Sequence, residues 1–227
     1  MAWTYCITDR KTSKVPILQQ IRRVIRAGVD FLQIREKDLP ARELFRLALQ
    51  ARAMARGRNT RILINDRLDI ALAANLHGVH LAQASLPADA VRTRVSKRGF
   101  LIGVSTHNQA EVDEALRQGA DYLVFGPVFE TPSKRRYGSP VTPAALGEAV
   151  RQSNRPIFAL GGIDLHNYLD CLKQGAAGIA GIRLFQRPEP GLSSLVSAIS
   201  SRRAPPPVEQ DKALSLGLRH TEGGDHP

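Results

Sequence analysis

An α/β fold, a single (β/α)8 TIM barrel, is what this chain predicts, and three observations point to it. Short β-rich runs alternate with amphipathic helical stretches from the amino terminus to about Ser200, which is the pattern of βα units on a parallel sheet. The unit recurs about eight times, the number that closes such a barrel. Glycine also returns at one point of the unit, in Gly28-Val29-Asp30, Gly119-Ala120-Asp121 and Gly175-Ala176-Ala177, where a left-handed residue caps a helix before the next strand. The competing architecture is an open doubly wound sheet. Its phosphate-binding turn would be Gly-x-Gly-x-x-Gly after the first strand, where this chain has Thr8-Asp9-Arg10-Lys11.

In order, strands are expected at Trp3–Thr8, Phe31–Arg35, Arg61–Asn65, Gly78–Leu81, Leu101–Ser105, Tyr122–Gly126, Pro156–Leu160 and Gly178–Ile182. Each is short and rich in apolar, often β-branched residues. Helical spacing of apolar residues marks Val15–Ala27, Ala41–Arg56, Asn108–Gln118, Pro143–Ser153 and His166–Gln174. The barrel is expected to occupy residues 1–201. From Arg202 the composition turns to Ala204-Pro205-Pro206-Pro207 and a polar, Gly-containing end, so 202–227 reads as a disordered tail.

Composition narrows the class of function. With 43% hydrophobic residues in 227 the chain can bury a large core. No apolar stretch approaches the roughly 18 to 20 residues of a membrane span, and the amino-terminal segment Met1 to Asp9 already meets polar residues, which favours a cytoplasmic protein without a membrane partner. Cys6 and Cys171 have no metal-like spacing and read as reduced packing residues. The net charge of +11 suits anionic ligands. Aromatic residues are only 5% and do not interleave with the basic positions, so the stacking platforms of a nucleic-acid binder are missing and no nucleic-acid partner is expected.

Candidate site residues fall at strand ends, where barrels of this kind build their sites. Strand two runs into Gln33-Ile34-Arg35-Glu36-Lys37. Period-2 geometry sends Phe31, Gln33, Arg35 and Lys37 to one face and Leu32 and Ile34 to the other. A guanidinium turned inward needs an anion, because burying it unpaired is costly. That anion is either a bound polyphosphate, matched by the Arg fork and the Lys point charge, or Glu36 or Asp38 at the rim. Asn65-Asp66 ends strand three and either belongs to the site or caps a helix starting at Leu68. His80 reads first as a satisfied interior histidine; Ser105 and His107 end strand five. Thr131-Pro132-Ser133-Lys134 offers hydroxyls and a cation to phosphate oxygens. Gly161-Gly162 is either a tight turn or, with the turn after Ile182-Arg183, a cradle of backbone amides for phosphate. Two anion subsites are implied, and Asp66 suits a Mg2+ that bridges a diphosphate.

Together, Gln33–Lys37, Ile64-Asn65-Asp66-Arg67, Gly78-Val79-His80-Leu81, Gly103-Val104-Ser105-Thr106-His107, Phe125-Gly126-Pro127-Val128-Phe129 with 131–134, and Leu160-Gly161-Gly162-Ile163 resemble the thiamine phosphate synthase and thiazole tautomerase superfamily over Met1 to about Ser200. The resemblance implies a transferase that joins 4-amino-2-methyl-5-hydroxymethylpyrimidine diphosphate to a thiazole phosphate and releases diphosphate with Mg2+. It places Gln33, Arg35, Lys37 and Asn65, helped by Ser105 and Lys134, on the pyrimidine substrate, and Asp66 on the metal. It places Thr131, Ser133, Gly162, Ile182 and Arg183 on the thiazole phosphate. Arg35, Lys37 and Lys134 would stabilise the leaving diphosphate electrostatically.

The chain departs from that pattern twice. Ala82-Gln83-Ala84-Ser85 stands where the synthases carry Gly-Gln-(Asp/Glu)-Asp, so Ser85 replaces a carboxylate ligand with a weaker, uncharged one. Arg183 stands where a small hydroxyl residue is usual. Two alternatives follow: a thiazole tautomerase, with His107 as acid and base on the thiazole carboxylate phosphate, or a non-catalytic binder of thiamine precursors. Intact Asn65-Asp66 with Lys37 and Lys134 favours the synthase. The oligomeric state is left open.

Overall fold

The computed structural model describes residues 2–131 and 140–202. Eight parallel strands close in chain order: β1 (Trp3–Ile7), β2 (Phe31–Ile34), β3 (Arg61–Asn65), β4 (Gly78–Leu81), β5 (Leu101–Thr106), β6 (Tyr122–Phe125), β7 (Ile157–Leu160) and β8 (Gly178–Gly181), with β8 pairing back onto β1. Around them run α1 (Ile17–Arg26), α2 (Ala41–Met54), α3 (Leu68–Ala73), α4 (Ala88–Arg92), α5 (Gln109–Arg117), α6 (Thr142–Gln152), α7 (Tyr168–Lys173) and α8 (Gly191–Ser200). Gly28, Gly119 and Gly175 have φ of +81°, +79° and +90° after their helices, the left-handed conformation in which a Cβ is unfavourable.

Several expected boundaries shift by one residue for local reasons. Strand β2 stops at Ile34, because the Arg35 amide donates to Thr8 Oγ1 (2.9 Å) instead of to the sheet. Strand β7 starts after Pro156, which has no N–H for the ladder. The helical stretches marked in the sequence leave out α4 and α8, and touch α3 only as a start at Leu68. Helix α4 has five residues, too few for a period to register, and α8 mixes Ser with its apolar residues. Asn65 and Asp66 do not cap α3: its N-cap is Arg67, with no side-chain cap bond.

Alternation along each strand separates two cores. Leu32, Ile34, Ile62, Ile64, Val79, Ile102 and Leu123 face the helices, whereas Tyr5, Phe31, Leu63, Leu101, Tyr122 and Phe158 fill the barrel. Tyr5, Phe31, Tyr122 and Phe158 plug the barrel with ring centroids 5.4–6.2 Å apart, mostly edge to face. Gly103 makes room for them, since a Cβ there would lie 1.9 Å from Tyr122 Cζ. Above this apolar plug the interior turns polar. Cys6 and Cys171 are buried and unpaired, and burial raises both thiols, Cys171 to about 12. No helix among the described residues is long and apolar enough to cross a membrane.

Candidate active site

Side chains from six consecutive strands meet across the top of the aromatic plug. Ser105 Oγ lies 2.8 Å from His80 Nε2, His80 Nδ1 lies 3.2 Å from the Tyr122 hydroxyl, and that hydroxyl lies 3.0 Å from Tyr5 Oη. Tyr5 donates to Gln33 Oε1 (2.9 Å), and Gln33 Nε2 donates to Asn65 Oδ1 (3.1 Å). Asn65 Nδ2 then reaches Asp66 Oδ2 at 3.4 Å, and Ser85 Oγ hydrogen-bonds Asp66 Oδ1. One line of polar side chains thus joins Ser105 on β5 to the Asp66 carboxylate after β3. Gln33, His80, Tyr5 and Tyr122 are buried in it, each with at least one of its partners in the line. Burial first, and the nearby Arg35 charge second, push the His80 pKa down to about 3, so this imidazole is neutral at pH 7. Asp66 itself has φ of 64°, a left-handed backbone that costs a non-glycine residue and is concentrated at functional sites.

Arg35 is half-buried beside this line, and among the described residues its guanidinium has no ion pair or hydrogen bond. The rim carboxylates belong to Arg10 instead. Its Nη1 lies 2.6 Å from Asp38 Oδ1, and its amide donates to Glu36 at 3.1 Å. Arg10 and Lys11 hold the Asp38 carboxyl well below the usual carboxylate range. Lys37 is exposed, and among the described residues no rim carboxylate pairs with it.

On the far side of the mouth Thr131 is buried, and Arg183 Nη2 donates to its Oγ1 at 3.3 Å. Gly162 has φ of +65°, and a Cβ there would approach Glu130 O to 2.5 Å. Asn167 Nδ2 fixes the same turn by donating to Gly162 O (2.9 Å). Ile182 packs against the barrel core and leads into a single 3-10 turn, Arg183–Phe185. Ser133 and Lys134 lie outside the described residues. His107 stands apart from the polar line: Glu111 Oε2 takes both its backbone N–H (2.8 Å) and its Nδ1 (2.9 Å), within the N-terminal cap that Asn108 makes for α5.

A family model described as thiamine monophosphate synthase matches residues 4–185. The chain belongs to the thiamine monophosphate synthase family. A Geobacter sulfurreducens relative that carries the name thiamine-phosphate synthase provisionally is 44% identical over 92% of this chain and 91% of its own length. A thiamine-phosphate synthase of Chlorobium luteolum is 39% identical, covering 87% and 93%. Among solved structures, thiamine phosphate pyrophosphorylase from Pyrococcus furiosus superposes with a TM-score of 0.75 at 29% identity over 86% of this chain and 96% of that one. As a member of the thiamine monophosphate synthase family the chain is a transferase. Tyr5 and Tyr122, which join the two ends of this line of side chains, carry no motif of their own. Their one signal is position: both occupy interior phases of their strands, two residues from other barrel-facing side chains.

Proposed function

We propose that this chain condenses the aminopyrimidine methyl diphosphate with the thiazole phosphate to give thiamine phosphate and diphosphate. The observation that carries this reading is the half-buried Arg35 guanidinium, without a protein anion among the described residues, beside the fixed line from Ser105 to Asp66. A cation so placed is complementary to a diphosphate. Gln33, Asn65 and Ser105 offer the polar edge for the pyrimidine ring. Thr131, Gly162 and Arg183 receive the thiazole phosphate on the opposite rim, and the sequence motif adds the Ser133 hydroxyl to that role.

In the reaction the bond between the methylene carbon and the diphosphate oxygen breaks, and its electron pair leaves with diphosphate. The thiazole nitrogen then gives its lone pair to that carbon. No electrons are gained or lost overall, and no side-chain nucleophile is needed. Arg35, Lys37 and Lys134 bind the charge that grows on the leaving group. The buried side chains beneath hold the pyrimidine at a fixed distance from the incoming nitrogen and keep water from the developing cation.

Asp66 suits Mg2+ as a single carboxylate ligand, with substrate oxygens and water completing the shell. The geometry fits that sparse arrangement. Asp66 is exposed, its carboxylate is steadied by Asn65 and Ser85, and among the described residues no group of three or more His, Cys, Asp or Glu could hold a metal ion. When bound, the ion would neutralise diphosphate charge. Soluble phosphorylated substrates and reduced thiols fit a cytoplasmic enzyme.

The test is formation of thiamine phosphate from the two purified substrates, with and without Mg2+. Product and diphosphate in equal amounts are expected with the metal. Binding of both substrates without product would reject the reading.

A further inference from the structure

The line of hydrogen bonds beneath the mouth has a direction. The Asp66 carboxylate can only accept, so Asn65 presents Nδ2 to it and turns Oδ1 to Gln33. Gln33 therefore donates through Nε2 and turns Oε1 to Tyr5, which must spend its one hydroxyl proton there. Tyr5 is left as an acceptor towards Tyr122, and Tyr122 in turn as an acceptor towards His80 Nδ1. His80 Nδ1 thus carries the proton. On a neutral imidazole the remaining nitrogen, Nε2, is an acceptor, and the one donor beside it is the Ser105 hydroxyl. Every link is satisfied in this sense. The reverse sense would aim an Asn oxygen at a carboxylate.

We propose that His80 and Tyr122 are positioning residues that fix the polarity of Ser105, so that its oxygen shows only lone pairs to the barrel mouth and accepts a hydrogen bond from the amino group of the pyrimidine substrate. The proposal deepens the synthase reading and, for the identity of the ligand, rests on it. Two features of the fold hold the line in place. Gly103 leaves the space that the Tyr122 ring occupies, and edge-to-face contacts with Tyr5 and Phe158 prevent that ring from tilting. The low basicity of the buried imidazole keeps it neutral, so that the second nitrogen stays an acceptor. Selection follows from the arrangement. A pyrimidine with a carbonyl in place of the amino group would set oxygen lone pairs against those of Ser105, and the mismatch leaves both unpaired.

Two measurements on the full-length protein test this. Nitrogen NMR of histidine-labelled protein reads the tautomer directly, the His80 signal being assigned by its loss in His80→Gln. A protonated Nδ1 and bare Nε2 are expected; a protonated Nε2 would overturn the proposal whether or not the protein makes thiamine phosphate. The second is calorimetric binding of the aminopyrimidine diphosphate and its oxo analogue. Wild type should prefer the amino form. Tyr122→Phe removes the acceptor of the Nδ1 proton, frees His80 to donate to Ser105 and should narrow the preference by about tenfold, the effect of a single mispaired hydrogen bond. Equal weakening of both ligands would mark Tyr122 as structural only and contradict the proposal. If Tyr122→Phe does not fold, Ser105→Ala must erase the same preference, and an unchanged preference would count against the assignment.

Discussion

Arg35 shows how one residue can be read from its surroundings. Its strand neighbour Gln33 is buried, the carboxylates that could neutralise it are clasped by Arg10, and its charge is felt by His80. Arg35→Ala should lower kcat/KM by about a hundredfold, the loss of roughly 3 kcal/mol carried by a charge-assisted bond to the transition state. Its unfolding midpoint should hardly move, since no native ion pair among the described residues is lost. Arg35→Lys should recover only part of the rate, because an ammonium cannot form the planar fork. Steady-state kinetics beside urea unfolding checks both, and a stability loss matching the activity loss would make Arg35 structural. Ser85 is the complementary case. A carboxylate there would add a charged ligand next to Asp66, so Ser85→Asp should lower the Mg2+ concentration for half-maximal rate by about tenfold; an unchanged requirement would separate Ser85 from the metal.

Strands are the elements most legible in this sequence. The alternation of Phe31 and Gln33 with Leu32 and Ile34 already assigns one set to the barrel and the other to the helices, and the structure places them so. The polar line is less legible, because its members come from different strands. Tyr5 and Tyr122 stand 117 residues apart, and His80 acquires its role only when they meet. A strand-end motif identifies Ser105 or Asn65 but not the buried groups that hold them. Short helices escape for another reason: α4 spans five residues and cannot show a 3.6-residue period. Packing at strand level is also testable. Gly103→Ala inserts a methyl into the Tyr122 ring and should destabilise the fold by about 1–3 kcal/mol. Urea unfolding measures it, and a neutral change would mean that β5 and β6 are not packed as described.

At the scale of the whole molecule the fold holds two histidines, His80 buried and His77 half-buried, that stay neutral well below their ordinary value of 6.5. His77 is held at about 4 by burial first and then by Arg52, Lys97 and Arg61, and His80 at about 3 by burial and Arg35. Unfolded chains take up those protons at higher pH than the native state does. Stability is therefore full above about pH 6.5 and falls as pH drops towards 4, each histidine contributing a slope of about 1.4 kcal/mol per unit. The urea midpoint should be clearly lower at about pH 5 than at about pH 7, and equal midpoints would contradict the low basicity of these two rings in the native fold. Closure of the sheet is also what brings the ends of β2, β3, β4 and β5 to a common mouth. That meeting is the centre of the account, and the most direct test is to mix enzyme, aminopyrimidine diphosphate, thiazole phosphate and Mg2+ and follow both products. Thiamine phosphate and diphosphate appearing one for one is the result expected. Tight binding of each substrate with no carbon–nitrogen bond formed would contradict it.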